Sequence, residues 1–262
     1  MRHRQQTLFG RIQGLRIVLA FLAEIKETIL PDRGSADGPL PPMLLGLTVV
    51  TGLVDSFSYL VLGHVFVANM TGNVVFLAFA LIGARGFSIP ASLAALGSFG
   101  LGASVGGRVS ARLAKNRARL LGSCVTIQAT FVTIAVLLAA VSATPVSAAF
   151  RYGLIVSLGI SMGIQNAAAR KLAVPDLTTT VLTMTLTGIS ADGPIAGGTG
   201  ARVGRRGLTV VAMFCGALVG AAFIVHAQTV YPLVVALVIT IAVAGTTVVL
   251  GSADPPWTLV ER

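Results

Sequence analysis

The stretch MLLGLTVVTGLVDSFSYLVLGHVFVANMTGNVVFLAFALIGA, residues 43–84, decides the fold. Its only carboxylate is Asp55, and it holds no Lys or Arg. About 20 apolar residues cross a hydrocarbon core as a helix. This stretch is therefore long enough for two passes, or for one pass and a segment that turns back. Its second part is interrupted by Asn69-Met70-Thr71-Gly72-Asn73.

The rest of the chain continues in the same vein. Its 262 residues are 55% hydrophobic and 11% charged, with a mean hydropathy of +0.88. A soluble domain carries about 25% charged residues. Only helices and closed barrels satisfy their backbone inside lipid. A barrel would show alternating segments of about ten residues, whereas these apolar runs are long and unbroken. An all-α polytopic membrane protein follows. The runs cover about 43–63, 65–84, 90–111, 120–142, 147–169, 177–198, 208–227 and 230–250.

The net charge of +10 does not point to nucleic acid, because the basic residues cluster between apolar runs with almost no aromatic residues among them. Instead they set topology. If all eight runs span, as a 4+4 parallel repeat, the stretch Arg108, Arg112, Lys115, Arg117 and Arg119 must be translocated. If the second and sixth runs enter and leave on one side, only Arg85 and Arg151 of the 19 Lys and Arg lie outside. The expectation is six transmembrane helices, two re-entrant or broken segments, and both termini in the cytoplasm.

Residues 1–42 stand apart. Leu8, Ile12, Leu15, Leu19, Leu22, Ile25 and Ile29 recur at helical spacing, which reads as an amphipathic helix on the inner leaflet. Pro31–Pro42 reads as a linker. Membrane repeats are expected over 43–142 and 147–250, with a cytoplasmic tail over 251–262. The repeat shows as Thr48, Gly52, Asp55 and Tyr59 against Gly159, Gly163, Asn166 and Arg170, offset by 111. Thr71-Gly72-Asn73 aligns with Thr183-Met184-Thr185. Gly102-Ala103-x-x-Gly106 aligns with Gly216-Ala217-x-x-Gly220. Three spans per copy invert the second copy, an arrangement in which interrupted helices mark a solute path.

GLVDSFSYLVLGHVFVANMTGN (52–73) resembles the signature of the YoaK family, bacterial membrane proteins of unknown function. GISMGIQNAAARKLAVPDLTTTVLTMTLTGIS (159–190) resembles its second block. The resemblance covers about residues 43–250 and implies a multi-pass protein of the bacterial inner (plasma) membrane, with no activity attached. Where the family's second block has a TGT-like element, this chain has Thr183-Met184-Thr185.

The candidate site residues are polar groups inside apolar runs. Asp55 falls near the middle of the first run; such a carboxylate costs about 2.5–3.5 kcal/mol to insert and serves as a ligand, a proton carrier or a structural hydrogen-bond partner. Gln165 and Asn166 occupy the matching helix, where an amide can pair with Asp55 across the pseudo-axis or bind helices together. Asn69, Thr71, Gly72 and Asn73 sit at one interruption, and Thr179, Thr180, Thr183 and Thr185 at the other. They either contact a solute or cap half-helices. Asp176 reads as a cap and Gly204-Arg205-Arg206 as a topology signal. Cys124 and Cys215 read as buried free thiols, with no CxxC or His-rich spacing, so no metal or cofactor is expected. No HExxH or GxSxG pattern supports an enzyme. The sequence thus favours a transporter or channel for a small polar solute or proton over a scaffold or accessory subunit. It leaves the oligomeric state, homo-oligomer included, open.

Overall fold

The computed structural model describes residues 19, 21–32, 34–142, 146–177, 179, 182–193, 202–252 and 256–259. Its regular elements are helical: α1 (Leu40–Val61), α2 (Met70–Leu81), α3 (Ile89–Arg112), α4 (Arg117–Val141), α5 (Ala148–Leu172), α6 (Leu182–Ala191), α7 (Val203–Val225) and α8 (Tyr231–Gly251). Five of them, α1, α3, α4, α7 and α8, are long and apolar enough to cross a membrane. With 25 residues, α5 rises about 37 Å, but Gln165, Asn166 and its terminal cations dilute its apolar character. The 12 and 10 residues of α2 and α6 rise only about 18 and 15 Å, roughly half a bilayer.

Local chemistry sets the boundaries. α1 starts at Leu40, inside the expected linker, because Pro41 and Pro42 fall in its first turn, where their missing N–H groups cost nothing. Ser88 caps α3 by accepting from Ala91 N–H at 3.4 Å. Asn116 caps α4 by accepting from Arg119 N–H at 2.9 Å. α7 starts at Val203 rather than near 208 and takes Gly204-Arg205-Arg206 into its first turn. The Glu24 carboxylate accepts from Gly204 N–H at 2.9 Å, a negative charge at the positive end of a helix. Glu24 belongs to a helical stretch over 21–29, within the expected amphipathic helix; of that helix, residues 8–18 and 20 lie outside the described residues. Leu22 and Ile29 of its apolar stripe stay exposed.

Helix packing repeats itself. α1 packs along α7 as α5 packs along α3; α4 lies on α5 as α8 lies on α1; α2 rests on α3 as α6 rests on α7; α4 and α8 pack on each other. Glycines allow the two closest approaches. A Cβ on Gly52 would meet Met213 O, Ala217 N at 2.6 Å and Gly216 C at 3.0 Å. A Cβ on Gly163 would meet the matching atoms, Phe99 O, Ala103 N at 2.6 Å and Gly102 C at 3.0 Å. Gly102 abuts the Ile160 carbonyl and Gly216 abuts that of Val49. Small residues let backbones meet where lipid supplies no hydrophobic drive between helices. Leu53, Phe57, Leu154 and Leu158 fill one part of the core, and Leu44, Leu47, Leu121 and Ile164 another.

The two ends of the bundle differ in chemistry. At one end Asp37 receives Arg117 at 3.0 Å and Arg205 at 3.7 Å, while Arg117 also donates to Leu172 O at 3.3 Å. Trp257, 2% exposed, lies against Gly38, where a Cβ would come within 2.7 Å of the indole and where φ is +46°. At the other end His64 Nδ1 is 3.0 Å from Gly86 O, amid a cluster of Tyr59, Phe66, Phe76 and Phe87. Cys124 is buried as expected. Cys215 is exposed on α7, because it points away from the face that Gly216 and Gly220 press against α1.

Candidate functional site

α1 ends at Val61, and Gly63 and His64 reverse the chain with φ of +92° and +58°. Residues 65–69 then run back along α1. Backbone groups in such a break have lost their helical partners and must find others inside lipid. Asp55 supplies them. Its Oδ1 accepts from Val67 N–H at 3.0 Å and Ala68 N–H at 2.9 Å, and its Oδ2 accepts from the Asn69 amide. Asp55 is 4% exposed. With α1 starting at Leu40, it lies six residues from the end of the helix, about 9 Å of rise, not at the midpoint the sequence suggested.

Asn73 completes the structure of the break. Its side-chain carbonyl accepts from Phe66 N–H at 2.9 Å, and its amide donates to Phe66 O. One side chain thus satisfies both polar groups of one peptide position. Gly72 lies under the Phe66 ring, where a Cβ would come within 2.7 Å. It serves close approach and not hinging, because Thr71, Gly72 and Asn73 all lie in the first turn of α2. The break itself is 62–69. Thr71 is exposed.

The second half is built differently. Gln165 lies at the meeting of three helices: its Nε2 donates to Leu47 O at 3.1 Å and Thr51 Oγ1 at 2.9 Å, and its Oε1 accepts from Gln128 Nε2 at 2.7 Å. Asn166 donates to Met162 O at 2.9 Å. Of the two roles open to these amides, Gln165 binds helices together, and neither pairs with Asp55 among the described residues, because the partners of Asp55 belong to its own half. Thr179 is buried in the segment after α5. Thr183 and Thr185 lie on α6, exposed and buried respectively, and Thr180 lies outside the described residues. Asn166 and Thr179 line one cavity of about 740 Å³ between α3, α5 and the segment of Ala173, Val174, Leu177 and Thr179.

Sequence reasoning missed three groups. Gln128 is a lone amide in the fourth apolar run and should have drawn the same attention as Gln165. Arg170 and Lys171 line the cavity. Arg206 bridges Asp176 at 2.8 Å and Asp192 at 2.9 Å, so Asp176 ties two chain segments together where a helix cap was expected. Spacing alone carried no signal for that bridge.

Both breaks, the six helices from α2 to α7 and most of α1 and α8 fall within residues 43–246, the part of the chain matched by the family described as protein of unknown function DUF1275. The chain belongs to that family. It is 37% identical over 155 residues to the UPF0700 transmembrane protein YoaK of Bacillus subtilis (strain 168), covering 57% of this chain. The match spans 65% of that relative's length, a little under two thirds. No solved structure matches the chain. Together with the apolar helices, this relative makes the chain a multi-pass membrane protein.

Proposed function

We infer that the protein is a secondary transporter or channel for a small polar solute, built from two inverted repeats of three spans with both termini in the cytoplasm of a bacterial plasma membrane. The observation that carries this reading is the exchange of contacts. Each helix pair in residues 43–142 and 147–250 has its counterpart when the two halves are swapped, and a short broken helix occupies the same place in each half. Repeats with interrupted helices at matching positions bind solutes and ions at the interruptions.

Two ties support re-entrance. The bond between His64 and Gly86 holds the end of α1 beside the start of α3. Arg206, Asp176 and Asp192 hold the end of α5 beside the start of α7. A spanning α2 or α6 would separate those segments by a bilayer. On this count α5 is the sixth span, its amides turned into the bundle. Cysteines introduced singly as Arg85→Cys and Lys115→Cys, with Cys124 and Cys215 replaced by Ala, test the topology. Six spans expose 85 and protect 115 in intact cells; the eight-span arrangement reverses this.

Asp55 links the break to protons. An ionised carboxylate accepts all three bonds; a proton on it turns one acceptor into a donor facing the Asn69 amide and loosens residues 67–69. Proteoliposomes loaded with candidate solutes under an imposed pH gradient test the coupling. Asp55→Asn abolishes proton-driven flux if Asp55 carries it; unchanged flux removes that role. The saturation of Asp55 by its own loop also favours a second reading, a non-transporting membrane scaffold. Stable co-purification of one partner without flux for any solute, with loss of that partner on deleting residues 1–42, would select it.

A further inference from the structure

The two halves bury their breaks in opposite ways, and the second leaves a space. The cavity between α3 and α5 has a volume of about 740 Å³, within the range that holds small-molecule ligands. Its charged lining is Arg170 and Lys171, with no carboxylate. Neither cation forms an ion pair among the described residues. Thr179 is 1% exposed, and its Oγ1 has no hydrogen-bond partner among the described residues. A buried hydroxyl left unpaired has lost its water without a replacement, and a ligand oxygen there supplies one. Asn166 adds an amide, and Gly107 forms an open wall with nothing within 4 Å of its Cβ position.

A positive-inside signal and the C-terminus of α5 account for two cations in this place. They do not account for the cavity beside them or for the buried hydroxyl in its wall. In the first half the same positions carry Tyr59 for Arg170, Phe66 for Leu177 and Ala68 for Thr179, and the rings of Tyr59 and Phe66 stack at 5.1 Å. The cationic character belongs to one half only.

We propose that the cavity between α3 and α5 binds an anionic oxygen-bearing group of the phosphate class, held by Arg170 and Lys171 and hydrogen-bonded by Thr179 and Asn166. The group is either a free anion or the headgroup of an anionic lipid. As a solute site it rests on the transport reading; as a binding site it stands without it.

The test uses the full chain in nanodiscs. In one arm, discs of phosphatidylcholine are titrated with inorganic phosphate by calorimetry in a phosphate-free buffer. In the other, phosphatidylglycerol is included and lipid retention is read by native mass spectrometry. Saturable phosphate binding identifies a free anion; selective retention of phosphatidylglycerol identifies a lipid. Either is expected to weaken about tenfold in the double variant Arg170→Gln, Lys171→Gln, and to weaken less in Thr179→Val. Gly107→Leu fills the cavity from a position with room for the side chain and is expected to abolish binding while the protein stays monodisperse. Arg85→Gln, at the far end, leaves binding unchanged. No saturable binding in either arm, or binding retained in monodisperse Gly107→Leu, overturns the proposal. Binding without flux sinks the transport reading alone; flux without binding sinks the site alone.

Discussion

The two broken segments occupy matching places in one scaffold, yet the first is closed by hydrogen bonds and aromatic rings and the second surrounds a cavity. Asp55 and Asn73 satisfy the backbone of the first break from within, Asn69 donates to the Asp55 carboxylate, and Phe66 covers the start of α2. At the position of Asp55 the second half has Asn166, which lacks the charge to hold backbone N–H groups as strongly. The shared scaffold is what the proposed duplication would leave. The divergence lies in the few side chains that decide whether a break is sealed or left accessible.

The largest expected effect separates the two breaks. Asp55→Ala leaves the Val67 and Ala68 N–H groups buried and unpaired, at about 1–3 kcal/mol each. Thermal unfolding in detergent should fall well below that of wild type. Asn166→Ala should cost less than half as much, and equal losses would break the comparison. Next come the glycines that the halves share. Gly52→Ala and Gly163→Ala each force a methyl onto a facing backbone, at about 1–3 kcal/mol. Their unfolding shifts should agree with each other; a neutral outcome at one site would mean that the scaffold is less symmetric than its contacts.

A smaller effect tests the charge itself. Asp55→Asn keeps an oxygen for the loop but sets its amide against that of Asn69, at about 1–2 kcal/mol. Adding Asn69→Asp should recover part of the loss, because the carboxylate then faces an amide donor. Absence of recovery would mean that the position of the negative charge, and not the pairing, matters. The smallest effect concerns the tie of the second break. Arg206→Gln removes a pair with Asp192, more than half exposed, and a less exposed one with Asp176, so it should cost about 1 kcal/mol, and less in high salt. Cysteine accessibility at Ser190→Cys, an exposed position beside the tie, would nevertheless rise as the tie opens.

Much of this was legible in the sequence. The apolar runs, the two interruptions and the 111-residue offset locate the helices and the matching glycines, because those depend on periodicity and residue size. The hydrogen-bond partners of Asp55 were not legible. Its partners are backbone N–H groups of Val67 and Ala68, and backbone groups leave no mark on residue identity. The position of the first break was missed for a related reason: Thr71-Gly72-Asn73 reads as a hinge, whereas Gly63 and His64 make the turn and Gly72 makes room for a ring. The bridge of Arg206 to Asp176 and Asp192 joins residues whose contact depends on how the segment after α5 folds back.

Trp257 is the single tryptophan of the chain, and it sits where the tail after α8 meets the glycine that leads into α1. Excitation at the red edge of the protein spectrum therefore reports on one place. Emission wavelength and iodide quenching of the unmodified protein would register the parting of its two chain ends from the charged end of the bundle, with no label attached.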